Sequence, residues 1–318
     1  MQTERRRANG GGPSQNHPMI ERIQEQKLKN ALRTIALFAG MLALVLTLGY
    51  LLMGTEGLIW AGFLGALMLF LSTQIPTKYI MRMYRGRELS EQEAPQLIRI
   101  MRILANRAGL ASLPKLYYIP HRMLNAFATG DKKDPAIGIT HGLISQLSIR
   151  ELTGVLAHEV SHIRNNDFRL KGLVNIMGRI TRIFALLGQF FLIINLPLYM
   201  MGEETIPWLA VILLIAAPYI SGLMMTAISR TREREADMEA ARLTGDPNGL
   251  ADALQKLNFL NDGGLLERMV PDKLSSHPKT KERVRRLRQL APEFSPKIDF
   301  PETVTFDRPS PHWNGWWV

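Results

Sequence analysis

AHEVSHIRNND, residues 157–167, decides how the rest of the chain is read. Upstream, Ser148 and Glu151 stand at capping-box spacing, and Leu152, Val155 and Leu156 follow at helical intervals, so the stretch is expected on a helix. At 3.6 residues per turn His158 and His162 leave one face, and both imidazoles can reach a single divalent ion. Glu159 lies beside them, placed to take a proton from an attacking water. The chain has no cysteine, so a metal must be held by imidazole and carboxylate, and zinc is the expected ion.

A catalytic zinc takes three protein ligands and keeps one position open, so a third ligand is required elsewhere. SRTREREAD, residues 229–237, offers Glu233 and Asp237 at i, i+4. If Ala236, Ala240 and Ala241 mark close helix packing, both acids face the metal helix. Glu233 is read as the ligand and Asp237 as the hydrogen-bond partner of a ligand histidine. The plainer alternative has Glu233 and Glu235 pairing with neighbouring arginines on a solvated face.

The flanking sequence is apolar. Residues 34–53 carry no charge over a length that crosses a hydrocarbon core as a helix, and residues 57–75 repeat the pattern. Arg22, Lys27, Lys29 and Arg33 precede this pair, and Lys78, Arg82, Arg85 and Arg87 follow it, whereas the connection at Gly54, Thr55 and Glu56 has no cation. The positive-inside bias puts both flanks, and hence both termini, in the cytoplasm of a cell inner (plasma) membrane. Residues 183–201 and 208–228 form a second pair with the same orientation, joined through Glu203 and Glu204. Pro197, Pro207 and Pro218 leave open a buried or interfacial hairpin for this second pair. A cleaved signal peptide fits poorly, because the first run starts late and a second follows it.

Between the hairpins, Ser90 and Glu93 predict a helix start ahead of Leu97, Ile100, Met101 and Leu104, with Gly109 as its stop. Residues 115–119, 124–129 and 136–140 read as short strands of a small sheet. The chain is therefore expected to be a mainly α integral-membrane protein with an α+β catalytic domain and four hydrophobic helices in two hairpins. The expected divisions are a disordered basic tail (1–23), a first hairpin (24–76), a catalytic domain (77–170 with 229–291), a second hairpin (171–228) and an irregular tail (292–318). The net charge of +11 clusters beside the apolar runs and forms no aromatic-interleaved stripe, which argues against a nucleic-acid partner. Arg283, Arg285, Arg286 and Arg288, with Val284, Leu287 and Leu290 between them, read as an amphipathic helix with a solvated or lipid-facing basic side. Trp313, Trp316 and Trp317 read as either an interface anchor or a docked terminus.

With these motifs in hand, the chain resembles the HtpX-type heat-shock membrane metalloproteases, relatives of the CAAX prenyl endopeptidases. The resemblance runs from the first hairpin to about Leu290. It includes LNAFATG (124–130), AIGITHGL (136–143), ARLTGDP (241–247) and SSHPKTKERV (275–284). It implies a gluzincin-like zinc domain on the cytoplasmic face, interrupted by the second hairpin, with endopeptidase action on damaged or misassembled membrane proteins. It supports His158, His162 and Glu233 as ligands, Glu159 as base and Asp237 as their acidic partner. It also implies that His277 assists at the developing oxyanion, although capping or packing before Pro278 explains that residue equally. Asn125, Ala126, Phe127, Ala128 and Thr129 would form an edge to which a polypeptide substrate adds as a strand. Prenyl-protein processing and a catalytically silent scaffold remain as alternatives. An intrabilayer protease and a transporter are disfavoured, because Arg164, Asn165, Asn166 and Asp167 follow the motif and the first two spans carry no charge.

Overall fold

The longest apolar runs fold into the longest helices. A computed structural model describes residues 17–72, 76–130, 132–203, 206–261, 280–294 and 298. His277, Glu204, the three tail tryptophans, and most of both terminal tails lie outside the described residues. Among the described residues three helices are long and apolar enough to cross a membrane: α1 (His17–Ser72) over residues 28–67, α6 (Asp167–Met200) and α7 (Trp208–Thr244).

Three stand where the sequence predicts four because the first pair forms one element with a break. At Met53 (φ −140°, ψ 20°) and Gly54 (φ 60°, ψ −139°) the backbone of α1 leaves helical geometry, and glycine enters the positive-φ region without a Cβ penalty. The two arms then fold back on each other. A Cβ built on Gly57 would run into the Gly49 carbonyl, and one built on Gly49 would stand 2.8 Å from the Ala61 Cβ, so the arms touch backbone to backbone.

α6 and α7 form a second antiparallel pair. Thr181 and Ser221 hydroxyls meet at 2.9 Å, and a Cβ on Gly188 would stand 2.7 Å from the Leu214 Cβ. The Asn195 amide both donates to the Ile206 carbonyl and accepts from its N–H, at 2.8 Å each. The first arm of α1 packs on this pair, with Met41 against Val174, Met177 and Ile228, and Leu48 against Leu214 and Ala217.

Both helices overrun the apolar segments read from the sequence. α6 starts at Asp167 instead of 183. α7 runs past 228 to Thr244, because residues 229–244 contain neither proline nor glycine, and Gly245 caps it at φ 70°. The divisions expected at 171 and 229 therefore fall inside continuous helices.

α2 (Thr77–Met83) follows the first hairpin and leads to β1 (Arg87–Glu88), a short strand that the sequence does not announce. Ser90 makes the expected contacts to Glu93, donating to Oε2 from its backbone and its hydroxyl at 3.0 Å each. These close a turn, and α3 (Pro95–Ala108) begins only at Pro95, whose fixed φ suits the first helical position. Gly109 (φ 65°) ends α3 as expected.

β2 (Lys115–Ile119), β3 (Ala126–Thr129) and β4 (Ala136–Thr140) complete a four-stranded sheet in the order β1-β2-β4-β3, parallel only between β2 and β4. β4 is buried throughout, and β3 is an edge. One sheet face supplies Leu116, Ile137 and Ile139 to the core. There they meet Leu97, Met101 and Leu104 of α3, and Leu152, Leu156 and Val160 of α5 (Ile149–Arg164). α4 (His141–Gln146) links β4 to α5, and α8 (Pro247–Asn261) packs so closely on α5 that a Cβ on Gly154 would stand 2.6 Å from the Leu250 backbone nitrogen. α9 (Thr280–Leu290) lies against α8 and α7.

The arm contact gives a paired expectation. Gly57→Ala should lower the apparent melting temperature in detergent, at an overpacking cost of about 1–3 kcal/mol. Gly62→Ala, whose new Cβ meets nothing within 4 Å among the described residues, should leave it unchanged in the same thermal scan.

Candidate metal centre

α5 carries the first part of the site because its start is well fixed. The Ser148 side chain accepts from the Glu151 backbone, the Glu151 side chain accepts from the Ser148 backbone, and Lys256 of α8 pairs with Glu151 at 2.8 Å. His158 and His162 then leave one face of the helix one turn apart, with ring centroids 4.7 Å from each other, both 7% exposed.

Each imidazole presents the same two edges. His158 Nε2 lies 3.3 Å from Glu233 Oε2, and its Nδ1 lies 3.1 Å from Asp237 Oδ1. His162 Nε2 lies 3.6 Å from Glu233 Oε1, and its Nδ1 lies 2.7 Å from Asp167 Oδ2. Two Nε2 atoms thus converge on one carboxylate while each Nδ1 turns to another carboxylate, the arrangement that orients histidines around a metal. One atom from each of His158, His162 and Glu233 falls within 4.8 Å of the other two, close enough to share one ion. The Nδ1 of His158 is buried and stands in an ion-pair contact with Asp237, which leaves its Nε2 free to face the shared carboxylate.

Charge gives a second test of fit. The cluster sets the carboxylates of Glu159, Asp167, Glu233, Glu235 and Asp237 against the cations Lys171, Arg232 and Arg283. With both imidazoles neutral the named carboxylates outnumber the named cations, a balance that favours a divalent ion or, without it, protonated imidazoles. Burial opposes charging His158, but the adjacent carboxylates of Asp237 and Glu233 outweigh it and hold the imidazole up at about 9. Burial likewise opposes charging His162, and Asp167 and Glu233 overcome it to raise that imidazole as well.

Glu159, one position along α5, does not join the ligand cluster. Its Oε2 accepts the N–H of Ala128 on β3 at 2.8 Å, which holds the carboxylate at the floor of a cleft of about 450 Å³. Asn125, Ala126, Phe127, Ala128 and Thr129 line this cleft together with His158, His162 and Glu233. The predicted site residues are therefore brought together, apart from His277, which falls outside the described residues. Glu235 pairs with Arg232 as the plainer reading of the acidic motif expects, but Glu233 turns to the imidazoles.

Two residues of the site are not assigned to it by the sequence. Asp167 is 1% exposed and is also held by Arg232 Nε at 2.6 Å; it returns to His162 because Asn166 takes a left-handed conformation (φ 59°, ψ 34°) that asparagine tolerates. Arg283 corrects the expected solvated face of its helix. It is 8% exposed, donates to Asp237 from Nε (2.9 Å) and Nη2 (2.7 Å), and places Nη1 3.1 Å from Glu233 Oε2. Its i, i+4 relation to buried Leu287, which puts an arginine on the apolar stripe, is the signal that could have found it.

Residues 91–291 match the model of peptidase family M48. A protein described as a protease HtpX homolog from Burkholderia ambifaria is 33% identical over 292 residues, 82% of this chain and 97% of its own length. One from a Sulfurihydrogenibium species is 32% identical over 306 residues, 86% of this chain and all of its own. Ste24p from S. mikatae aligns to 83% of this chain and 66% of its own at TM-score 0.49 and 22% identity, too distant a likeness to carry residue roles.

The proton balance fixes the sign of a pH effect. The pKa of His158 in the folded metal-free protein lies above its ordinary 6.5, so its contribution to stability is complete below pH 6.5 and is lost as pH rises through about 9. That contribution is on the order of 3 kcal/mol. Chelator-treated protein should accordingly unfold at lower denaturant at pH 9 than at pH 6, a difference that added divalent metal removes. Asp167→Asn should weaken metal binding about 10- to 100-fold in a competition titration, because it takes the carboxylate from His162.

Proposed function

The chain belongs to peptidase family M48, and from that premise we propose that it hydrolyses peptide bonds of damaged or misassembled membrane proteins, with zinc held by His158, His162 and Glu233. As a member of that family it is a metalloprotease, and its apolar helices make it an integral-membrane protein. The convergence of two imidazole Nε2 atoms on the Glu233 carboxylate is the observation that carries the ligand assignment. Zinc in that position would polarise the peptide carbonyl and lower the pKa of a water from 15.7 toward about 7.

The chain's own residues do the rest. Glu159 takes the proton of the attacking water and returns it to the leaving amine, and the Ala128 N–H keeps its carboxylate aimed for both transfers. Asp237 and Asp167 hold the two imidazoles by Nδ1. Arg283 keeps the charges of Asp237 and Glu233 compensated inside a buried site. His277 is assigned to the developing oxyanion on the strength of the resemblance alone.

The edge strand supports the substrate reading. The Thr140 N–H donates to the Asn125 carbonyl, and β3 is antiparallel to β4. Alternate residues along a strand present their backbone groups to opposite edges, so Phe127 and Thr129 pair inward while Ala126 and Ala128 face the cleft. An extended polypeptide would pair with the Ala126 backbone and the Ala128 carbonyl, the Ala128 N–H being held by Glu159, and would present its scissile carbonyl to the metal.

For the membrane, we propose that the two arms of α1 each span, giving four crossings with α6 and α7. Cationic flanks support an inner-membrane protein with both termini and a gluzincin-like catalytic domain on the cytoplasmic side. Glu233 lies five residues beyond Ile228, about 7.5 Å along a helix, which puts the metal close to the bilayer surface where membrane-protein segments emerge. The apolar runs are fewer than a large-chambered prenyl-processing enzyme would need, and this favours general proteolysis of membrane proteins.

Glu159→Gln separates chemistry from binding. It should keep one zinc per chain by elemental analysis and lose casein hydrolysis by at least about a hundredfold, the usual contribution of a general base. Equal turnover in the variant would remove Glu159 from the role. Glu233→Gln should instead lower zinc content, and unchanged stoichiometry would reject it as a ligand.

A further inference from the structure

The first apolar hairpin is followed almost at once by a helix with a largely exposed outward face. Thr77 and Met81 bury one side of α2, while Tyr79 (60% exposed) and Met83 (71%) stand open and Tyr84, just beyond the helix, is half-exposed. Tyr79 and Met83 are one helical turn apart, and Lys78 and Arg82 make a parallel cationic stripe beside them. Arg85 adds a third cation at the end of the helix. Among the described residues no carboxylate pairs with Lys78, Arg82 or Arg85. Aromatic and thioether groups next to unpaired cations are suited to the boundary between anionic headgroups and acyl chains. Four residues lie between Ser72, the end of α1, and Thr77, so α2 begins no more than about 18 Å from the end of that arm.

The same helix is tied to the cleft. The Thr77 hydroxyl donates to the Asp134 carbonyl at 3.0 Å, across the turn that ends β3, and a Cβ on Gly130 would stand 2.7 Å from that hydroxyl. Met81 packs in one cluster with Phe127, and the Tyr84 ring lies 4.9 Å from the Phe127 ring. Phe127 precedes Ala128, whose N–H holds Glu159.

We propose that the Tyr79–Met83 face of α2 docks on anionic lipid headgroups of the bilayer that holds the first hairpin, and that this contact positions edge strand β3 beside the metal centre. The inference rests on the insertion of the first hairpin but not on the ligand or base assignments. Lipid fits the face better than a protein partner because α2 follows an apolar arm closely in sequence and the charge of the face is of one sign.

The absence of cysteine allows a clean test. The full chain carrying Met83→Cys, labelled with a polarity-sensitive fluorophore, is reconstituted in phosphatidylcholine vesicles with or without phosphatidylglycerol and a headgroup-depth nitroxide quencher. Ile59→Cys, exposed on the second arm of α1, reports insertion of the hairpin. The expected result is a blue shift and quenching at position 83 that grow with phosphatidylglycerol. Lys78→Gln and Arg82→Gln should each reduce the docked-to-free ratio about fivefold, equivalent to ~1 kcal/mol per cation near an anionic surface. Amide exchange over residues 126–129 should slow when phosphatidylglycerol is present.

A quenched label at 59 beside a water-exposed label at 83 overturns the docking. Quenching at 83 that ignores both lipid charge and the two Gln variants overturns headgroup recognition. Unchanged exchange over 126–129 overturns the link to β3. Absence of quenching at both positions overturns the insertion of the hairpin and the inference with it, while leaving the zinc and Glu159 assignments to their own assays.

Discussion

One carboxylate between two imidazoles holds the catalytic layer to the membrane helices. Glu233 belongs to α7, which begins in an apolar hairpin and continues without a break into the polar layer, and His158 and His162 belong to α5, which is packed into the core below the sheet. The three side chains can meet only if α5 and α7 pack closely, and Ala236, Ala240 and Ala241 are buried where they do. A rotation of α7 about its axis by one residue would turn Glu233 about 100° away from the imidazoles. The orientation of the second hairpin and the geometry of the site are therefore one constraint.

That constraint would be expensive without compensation, because five carboxylates in a confined cluster repel one another and lose hydration. Arg283 from α9 and Arg232 from α7 meet part of the charge, each through more than one contact. Lys171 meets more of it, and a divalent ion or, without it, protons on the imidazoles add positive charge, the direction in which the His158 pKa is shifted. A buried polar network of this kind contributes little to stability beyond what an apolar core would give, but it tolerates very few alternative arrangements. The cluster specifies where four helices meet.

The outer wall of the site depends on a different kind of contact. β3 is a sheet edge, and its Ala128 N–H is turned away from β4 toward Glu159. The carboxylate proposed as the base is thus oriented by backbone, which no side-chain substitution at 128 other than proline removes. The turn after β3 is in turn fastened to α2 through Thr77 and Asp134, so the edge is braced from the side of the first hairpin.

Short-range patterns made much of this readable. The helix bearing His158 and His162, its Ser148–Glu151 cap, the Gly109 stop, three of the strands and the apolar runs all follow from spacings within a few residues, where helical or strand geometry alone relates the side chains. Glu233 and Asp237 could be proposed because i, i+4 spacing puts them on one face. Other features depend on residues far apart in the chain. Asp167 reaches His162 through a left-handed Asn166, a conformation that no local motif demanded. Arg283 is buried because α9 docks its stripe on the acids of α7, whereas the alternation of arginines with apolar residues looked like a solvated helix. The start of α3 at Pro95 and the fusion of the hairpin helices with the catalytic layer were settled by competing local signals and by packing. The sequence by itself determined which residues could bind and activate, since that chemistry is written in residue type and period. Only the tertiary structure decided which charges compensate them, because a buried charge finds its partner through space.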